Sequence, residues 1–217
     1  MTLDRRRLLQ GVAMLAGSLG ATRAFAQVAA PADWEKYFAG YAQDGEIQFP
    51  RTRLETLDSK WRRQLVKYKH KEPPGSIVVD TRENFLYIVF ENNTALRYGV
   101  GVGREGFQWS GRAQIGRKAR WPGWTPPPEM LIRRPDLPPH MEGGPDNPLG
   151  ARALYLYRDG KDLIYRIHGT NEPWSIGSDS SSGCIRMLNE DVIDIYRRIP
   201  VGTRVLVLEH LDKPLPS

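Results

Sequence analysis

Apolar residues in this chain fall mostly into short runs that are bounded by polar and turn-forming residues. Runs of about four to eight residues, rich in β-branched and aromatic side chains, are typical of β-strands. The pattern predicts strands at residues 77–79, 85–90, 95–102, 113–119, 151–157, 163–168 and 203–209. We therefore predict a mostly β domain that begins near residue 74.

Helical spacing is confined to fewer places. Residues 189–199 combine a helical apolar pattern with a candidate N-cap, Asn189, and acidic residues in the first turn, so we predict a helix there. An Asp-Ser pair predicts a helical turn over residues 58–66. Four aromatic residues at spacings of three or four predict a short amphipathic helix over residues 33–42: Trp34, Tyr37, Phe38 and Tyr41.

Residues 121–150 form a segment rich in Pro and Gly that is too long for an ordinary connection. We predict a lid or binding loop, to which Trp121, Trp124 and Met130 contribute apolar surface. A passive surface loop is the alternative. His140 could line a site, although an exposed loop histidine is the simpler interpretation.

The first 26 residues have the pattern of an export signal. Arginines 5–7 precede a short apolar stretch, and Ala24-Phe25-Ala26 resembles a cleavage site, so we expect the mature chain to start at Gln27. The adjacent arginines favour the twin-arginine route, with a Sec signal as the alternative. We therefore predict a periplasmic protein without a transmembrane span once the signal is removed.

These patterns divide the chain into four parts: an export signal at 1–26, a polar basic lead at 27–73, a folded domain at 74–210 and a tail at 211–217. The formal net charge of the 217-residue chain is +6, and the signal region supplies half of it. No dense basic cluster with interleaved aromatics is present in the sequence, so we predict no nucleic-acid partner. The mildly basic remainder would suit an anionic polymer, but solubility explains it equally well.

Cys184 is the single cysteine, which excludes an intrachain disulfide. An unpaired thiol in an exported protein raises the expectation of chemistry. A lone cysteine is often a small buried hydrophobe, but Cys184 lies in a Ser/Gly segment. His168 ends an apolar alternating run, where its position would be rigid, and could hold the thiol as thiolate. Gly183 leaves room for backbone N–H groups to stabilise an oxyanion.

Other ligand chemistry finds little support in the sequence. Four scattered histidines and one cysteine, without His-x-x-x-His or Cys-x-x-Cys spacing, predict no metal site. The glycines of residues 99–103 are not followed by a helical pattern, so a dinucleotide site is not indicated. We predict no cofactor.

The residues His168-Gly169-Thr170-Asn171 are followed by Ser181-x-Gly183-Cys184-Ile185-Arg186-Met187, with sixteen residues from His to Cys. These two motifs, in residue type, order and spacing, resemble the active-site signature of L,D-transpeptidases with a YkuD-type catalytic domain. The resemblance covers about residues 74–210, and residues 147–150 resemble a further recurring element of that family. It implies a β-sandwich or partly closed barrel with one or two short helices.

The resemblance also implies roles for individual residues. Cys184 would be the nucleophile and His168 its base, with the backbone carbonyl of Gly169 orienting the imidazole and the N–H groups of Gly183 and Cys184 binding the oxyanion. Arg186 would anchor a substrate carboxylate, with a structural salt bridge as the alternative. The remaining residues expected at the substrate site are Asn171, Ser181, Ser182 and Trp174, of which Ser181 would hold the loop and Trp174 could equally be packing.

The function implied is that of a peptidoglycan L,D-transpeptidase acting on stem peptides. Attachment of a protein to the wall, hydrolysis by the same site and an inactive wall-binding module remain alternatives. The intact His168/Cys184 pair argues against the inactive module. The acceptor amine, the donor stem length and the oligomeric state stay open.

Overall fold

The computed structural model describes residues 30–103, 109–181 and 183–208. The predicted export signal and the tail at 211–217 lie outside these residues, as does Ser182. Across the described residues, no helix has both the length and the apolar composition needed to cross a membrane.

Strands account for most of the regular structure. In chain order they are β1 Phe38–Asp44, β2 Ile47–Thr52, β3 Gln64–Lys67, β4 Ile77–Asp80, β5 Phe85–Val89, β6 Thr94–Gly99, β7 Val102–Gly103, β8 Gly111–Arg120, β9 Arg152–Arg158, β10 Lys161–His168, β11 Asp179–Ser181, β12 Ile185–Arg186 and β13 Arg204–Val207. Each strand predicted from the pattern has a counterpart here.

Within the described residues, nine of these strands form one mixed sheet in the order β12-β10-β9-β8-β13-β4-β5-β6-β3. Two further pairs, β1 with β2 and β7 with β11, lie outside it. In the large sheet, β13 runs parallel to β4 and β12 runs parallel to β10, while the other pairs are antiparallel. The mostly β prediction is confirmed.

Two α-helices complete the described fold, α1 Pro128–Arg133 and α2 Asn189–Arg198. Helix α2 packs on one face of the sheet, because its Val192 and Ile195 share the apolar core with the buried strand residues Leu154, Leu156 and Ile167. Acidic residues in its first turn and arginines in its last turn complement the helix dipole. The helix predicted at 189–199 is thus confirmed.

The predicted capping role of Asn189 is wrong. Leu188 occupies the N-cap position, and no side chain caps the first turn. Asn189 is buried, and its Oδ1 accepts a hydrogen bond from the Ala151 N–H at 2.8 Å. The side-chain oxygen of Asn189 therefore links α2 to the start of β9 and does not cap the helix.

The polar lead folds differently from the prediction. Residues 34–37 form a 3-10 turn, and the chain then enters the β1–β2 hairpin, so the helix predicted over 33–42 is wrong. The predicted turn at 58–66 is shorter than expected, with a 3-10 turn at 59–61 followed by β3. Its cap is as predicted, since the Asp58 carboxylate accepts from the Lys60 N–H at 3.0 Å.

The Pro/Gly-rich segment contains α1 and is closed by a bridge between Trp124 and Met141. The prediction that Trp121 contributes apolar surface to a lid is wrong, because Trp121 is buried and packs against Phe49 of β2 with ring centroids 5.5 Å apart. His140 is exposed, and its Nδ1 lies 2.9 Å from the Thr125 hydroxyl, in agreement with the simpler interpretation.

Candidate active site

His168 is the last residue of β10, and it is only 4% exposed. Its Nδ1 lies 2.6 Å from the carbonyl oxygen of Gly169. Because a carbonyl can only accept, Nδ1 carries the proton and Nε2 is left as the basic nitrogen. This contact is the one that the resemblance implied for orienting the imidazole.

The Gly169 carbonyl is itself held by close packing. The Gly169 N–H donates to the carbonyl of Arg152 at 3.0 Å. A Cβ on Gly169 would collide with the Asn189 amide oxygen and come within 2.9 Å of the Ala151 nitrogen. Only glycine at this position therefore allows α2 and the start of β9 to pack so closely against the loop after β10. That packing fixes the carbonyl that accepts the hydrogen bond from His168.

Cys184 lies immediately before β12, the parallel partner of β10. His168 pairs with Arg186 in this register, so the connection from residue 169 to residue 184 leaves one strand and returns beside it. The cysteine is free and partly exposed. The parallel pairing therefore brings the two predicted catalytic residues to neighbouring strands at one edge of the sheet.

Ser181 holds the loop before Cys184, as expected. Its hydroxyl donates to the Cys184 carbonyl at 2.6 Å and accepts from the Gly183 N–H at 3.1 Å. Gly183 has a φ of 120°, a conformation that L side chains rarely adopt. Since its N–H is already engaged, its oxyanion role would require that bond to lengthen and stays a prediction. The Cys184 N–H has no acceptor in the described part of the chain.

Arg186 forms an ion pair with Glu172, with Nη1 and Oε2 at 2.9 Å and both side chains mostly buried. Its backbone exchanges two hydrogen bonds with Gly101. Arg186 thus ties the loop after His168 to the sheet, which is the structural alternative considered above. A direct contact with a substrate carboxylate stays a prediction.

Two of the predicted substrate residues connect the site to other segments. The Asn171 side chain donates to the Asp146 carbonyl at 3.0 Å, at the end of the Pro/Gly-rich segment. The Trp174 ring packs edge-on against Tyr37 of the lead at 5.8 Å. Its buried Nε1 has no hydrogen-bond acceptor among the described residues. The packing role of Trp174 is present, and its contact with substrate stays a prediction.

The pKa shifts of the two predicted catalytic groups both favour the uncharged form. Burial, reinforced by the charge of Arg186, lowers the pKa of His168 to about 3, although the bond to Gly169 opposes this shift. Burial also raises the pKa of the Cys184 thiol, while the backbone and guanidinium of Arg166 oppose the increase. A neutral thiol and a neutral imidazole on neighbouring strands would suit proton transfer during attack.

Some residues that support the site were missed from the sequence. Arg166 lies two positions before His168, on the same strand face, and period-two spacing could have identified it. Arg152 is buried and contacts Asp44 of the lead at 2.7 Å. No local sequence pattern could have predicted the contact between Arg152 and Asp44, because 108 residues separate them.

Comparison with known proteins gives the family. The model of the YkuD L,D-transpeptidase catalytic domain matches residues 74–207. A Fuscovulum blasticum protein with an L,D-transpeptidase description is 34% identical over 212 residues, covering 95% of this chain and 98% of its own. ErfK/SrfK of Escherichia coli strain K12, described as a probable L,D-transpeptidase, is 37% identical over 142 residues, covering 61% of this chain and 44% of its own.

A solved structure from Brucella melitensis, described as a probable carnitine operon oxidoreductase, is 47% identical, covers 72% of this chain and 99% of its own, and has a TM-score of 0.48. The chain spans about half the length of the Escherichia coli relatives that it matches. The family model covers more than half of this chain, and the Fuscovulum blasticum relative matches nearly all of it. On this evidence the chain belongs to the L,D-transpeptidase family with a YkuD-type catalytic domain.

Proposed function

We propose that this protein is a peptidoglycan L,D-transpeptidase that transfers an acyl group through Cys184. The observation that carries the proposal is the 2.6 Å contact between His168 Nδ1 and the Gly169 carbonyl, on the strand that runs beside the cysteine. That contact fixes the proton on Nδ1, so that Nε2 can act as a base. The family membership of residues 74–207 supports the reaction class.

In the first step, the Cys184 sulfur attacks the carbonyl of an L-configured centre in a donor stem peptide. The thiol proton passes to His168 Nε2, and the N–H of Cys184, joined by that of Gly183, stabilises the oxyanion. The bond to the following D-residue then breaks, and its nitrogen takes the proton from His168. The products are a thioester on Cys184 and a free D-amino acid.

In the second step, an amine of another stem attacks the thioester. His168 accepts the proton of that amine, the carbon–sulfur bond breaks, and the proton returns to the sulfur. If water replaces the amine, the same chemistry gives hydrolysis. If the amine belongs to a protein, it gives attachment to the wall.

The test uses the purified mature chain with a defined tetrapeptide stem as donor. We expect intact mass spectrometry to show an adduct on Cys184 equal to the stem without its last residue, followed by a cross-linked product when an amine acceptor is added. A protein that forms no adduct and shows no unusually fast alkylation of Cys184 would be a wall-binding module. Muropeptide analysis of cells lacking the protein then identifies the link that it makes.

We also propose export to the periplasm by the twin-arginine route, on the basis of the adjacent arginines at 5–7 and the Ala24-Phe25-Ala26 site. Replacing Arg6 and Arg7 by lysine should block export of the full chain, with precursor accumulating in the cytoplasm. Normal export of this variant would indicate the Sec route.

A further inference from the structure

A tyrosine between two arginines lies near the catalytic residues and has no role in the mechanism above. Tyr155 on β9 pairs with Arg117 on β8 and with Arg166 on β10, so the three residues form one row across the sheet. The guanidinium carbons of Arg117 and Arg166 lie 3.5 and 5.0 Å from the centroid of the Tyr155 ring. The ring is only 5% exposed, while Arg117 is exposed to solvent.

The two cations of this row have no anionic partner in the part of the chain that the structure describes. Arg166 donates from Nη1 to the carbonyl of Ile164 at 2.7 Å, and neither guanidinium forms an ion pair with a described carboxylate. Some other exposed arginines of the fold do have such partners, as Arg112 has in Glu72 at 2.7 Å. Two like charges that contact one ring repel each other, and an anion that contacts both would offset that repulsion.

The row lies on the catalytic side of the sheet. Lys118, the residue after Arg117, donates to the carbonyls of Tyr196 and Ile199, so its side chain reaches towards α2. Because successive strand residues point to opposite faces, the side chain of Arg117 lies on the face away from that helix. His168 belongs to the same face, since it is two residues beyond Arg166 on β10.

The row also ends beside the nucleophile. Ile167 pairs with Ile185, so Cys184, one residue earlier, lies beside Arg166. Neighbouring strands are about 4.8 Å apart, so Arg166 on β10 lies one strand spacing from β12, and Tyr155 on β9, whose ring both guanidinium groups contact, lies two spacings from it. Arg186, the other cation here, is already paired with Glu172.

We propose that Arg117 and Arg166 bind the C-terminal carboxylate of the donor stem, which belongs to the residue that leaves. This assignment rests on the proposed transpeptidase function. Consecutive residues are about 3.8 Å apart, so a carboxylate one residue beyond the attacked carbonyl lies about one strand spacing from the sulfur. A guanidinium pair stacked on a buried aromatic ring offers planar, pre-oriented donors for such a group. The row would make the enzyme select donors with a free C-terminus.

The test measures acyl-enzyme formation with two donors that differ only in a C-terminal carboxylate or carboxamide. For the parent protein, we expect kcat/KM to fall about tenfold or more with the amide, as for loss of a charge-assisted contact. Arg117→Gln should raise KM for the carboxylate donor by a similar factor with little change in kcat, which removes most of the discrimination. Arg117→Lys should restore part of it.

Arg197→Gln is the matched control, because Arg197 is also exposed but lies on α2, on the other side of the sheet. This variant should prefer the carboxylate donor over the carboxamide donor by the same factor as the parent. Equal rates of the parent with both donors would overturn the proposal, as would an Arg117→Gln variant that slows both donors equally. A third donor carries a carboxamide in place of a different carboxylate of the stem. If kcat/KM falls with this donor and not with the C-terminal amide, the proposal is overturned. Failure of every donor to acylate Cys184 would instead refute the proposed function.

Discussion

In the candidate catalytic segment, residues 168–187, most side-chain hydrogen bonds join near neighbours in the chain, whereas the N-terminal segment, residues 34–67, is attached to the rest of the fold through distant partners. His168 contacts the next residue, and Ser181 contacts Gly183 and Cys184. In the N-terminal segment, Asp44 bonds to Arg152 across 108 residues and Thr52 bonds to Glu190 across 138. The site is therefore shaped locally, while its surroundings depend on contacts that form only in the complete fold.

The two segments meet directly. The Trp61 indole of the N-terminal segment packs against Gly177, where a Cβ would collide with the ring. Tyr37 packs against Trp174. The family model begins at residue 74, yet the lead before that position supports the loop between His168 and Cys184. This comparison predicts that changes in the catalytic segment remove activity, while changes in the N-terminal segment remove stability.

The largest effect is expected from Cys184→Ala, which should abolish transfer and leave the fold intact. The residue is partly exposed and lies in a Ser/Gly loop, so removing one sulfur creates little cavity. We expect the free energy of unfolding to change by less than about 1 kcal/mol. Near-native activity in an acylation assay would show that the nucleophile has been assigned wrongly.

Asp44→Ala should have the opposite result, a large loss of stability with the chemistry of the folded fraction retained. Asp44 and Arg152 are both buried, and the change leaves an unpaired guanidinium, which costs about 3–5 kcal/mol. Asp33→Ala, which breaks an exposed pair with Lys36 at the start of this segment, should change the unfolding midpoint little. Denaturant unfolding of the parent and both variants measures the two changes in the free energy of unfolding.

The pH dependence of this difference follows from the Asp44 carboxyl. The hydrogen bond from Arg152 holds the pKa of Asp44 below its ordinary value, against the effect of burial. A depressed pKa contributes stability that is present above the ordinary pKa and is lost as the pH falls through the folded one. The difference in the free energy of unfolding between the parent and Asp44→Ala should thus become smaller below about pH 4. A gap that widens on acidification would contradict the ion-pair assignment.

The contrast between the segments also explains which features the sequence could predict. Strands such as β4 and β5 and the His168/Cys184 pair are marked by local patterns. The helix predicted over residues 33–42 failed because a 3-10 turn contains Trp34 and Tyr37, and an irregular strand with a register shift contains Phe38 and Tyr41. A bulged strand after a tight turn imitates helical spacing. The role of the hairpin depends on partners that no local pattern identifies.

His168→Gln should lower the acylation rate by about a hundredfold or more, the usual scale for a positioned acid–base group. Because burial lowers the pKa of His168 to about 3, the acidic limb of kcat/KM in the parent should lie well below the ordinary histidine value. The variant should lack that limb. Identical pH–rate profiles for parent and variant would argue against His168 as the base.

The smallest effect is expected in the Pro/Gly-rich segment, which resembles the N-terminal segment in being outside the two motifs. Its closing residues lie against the site, since the Asp146 carbonyl accepts from Asn171 and Gly150 packs against Gly169. Its neck is held by two hydrogen bonds between Trp124 and Met141, both 2.8 Å long. We predict that the part beyond this neck acts as a lid that excludes water from the thioester.

The sharpest test replaces residues 126–139 by a short Gly/Ser linker and keeps the neck, so that the contact between Asp146 and Asn171 is preserved. Water would then reach the acyl-enzyme more easily, and we expect the ratio of hydrolysis to cross-linking to rise by about threefold. Cys184 should be alkylated as in the parent, because the loop that carries it is untouched. Ile132→Ser, at a position that is 83% exposed on α1, is a narrower variant that tests whether that apolar side chain contacts the donor. An unchanged ratio in the linker variant would leave the segment as a passive surface loop and would restrict the selection of donor and acceptor to the residues of the catalytic face.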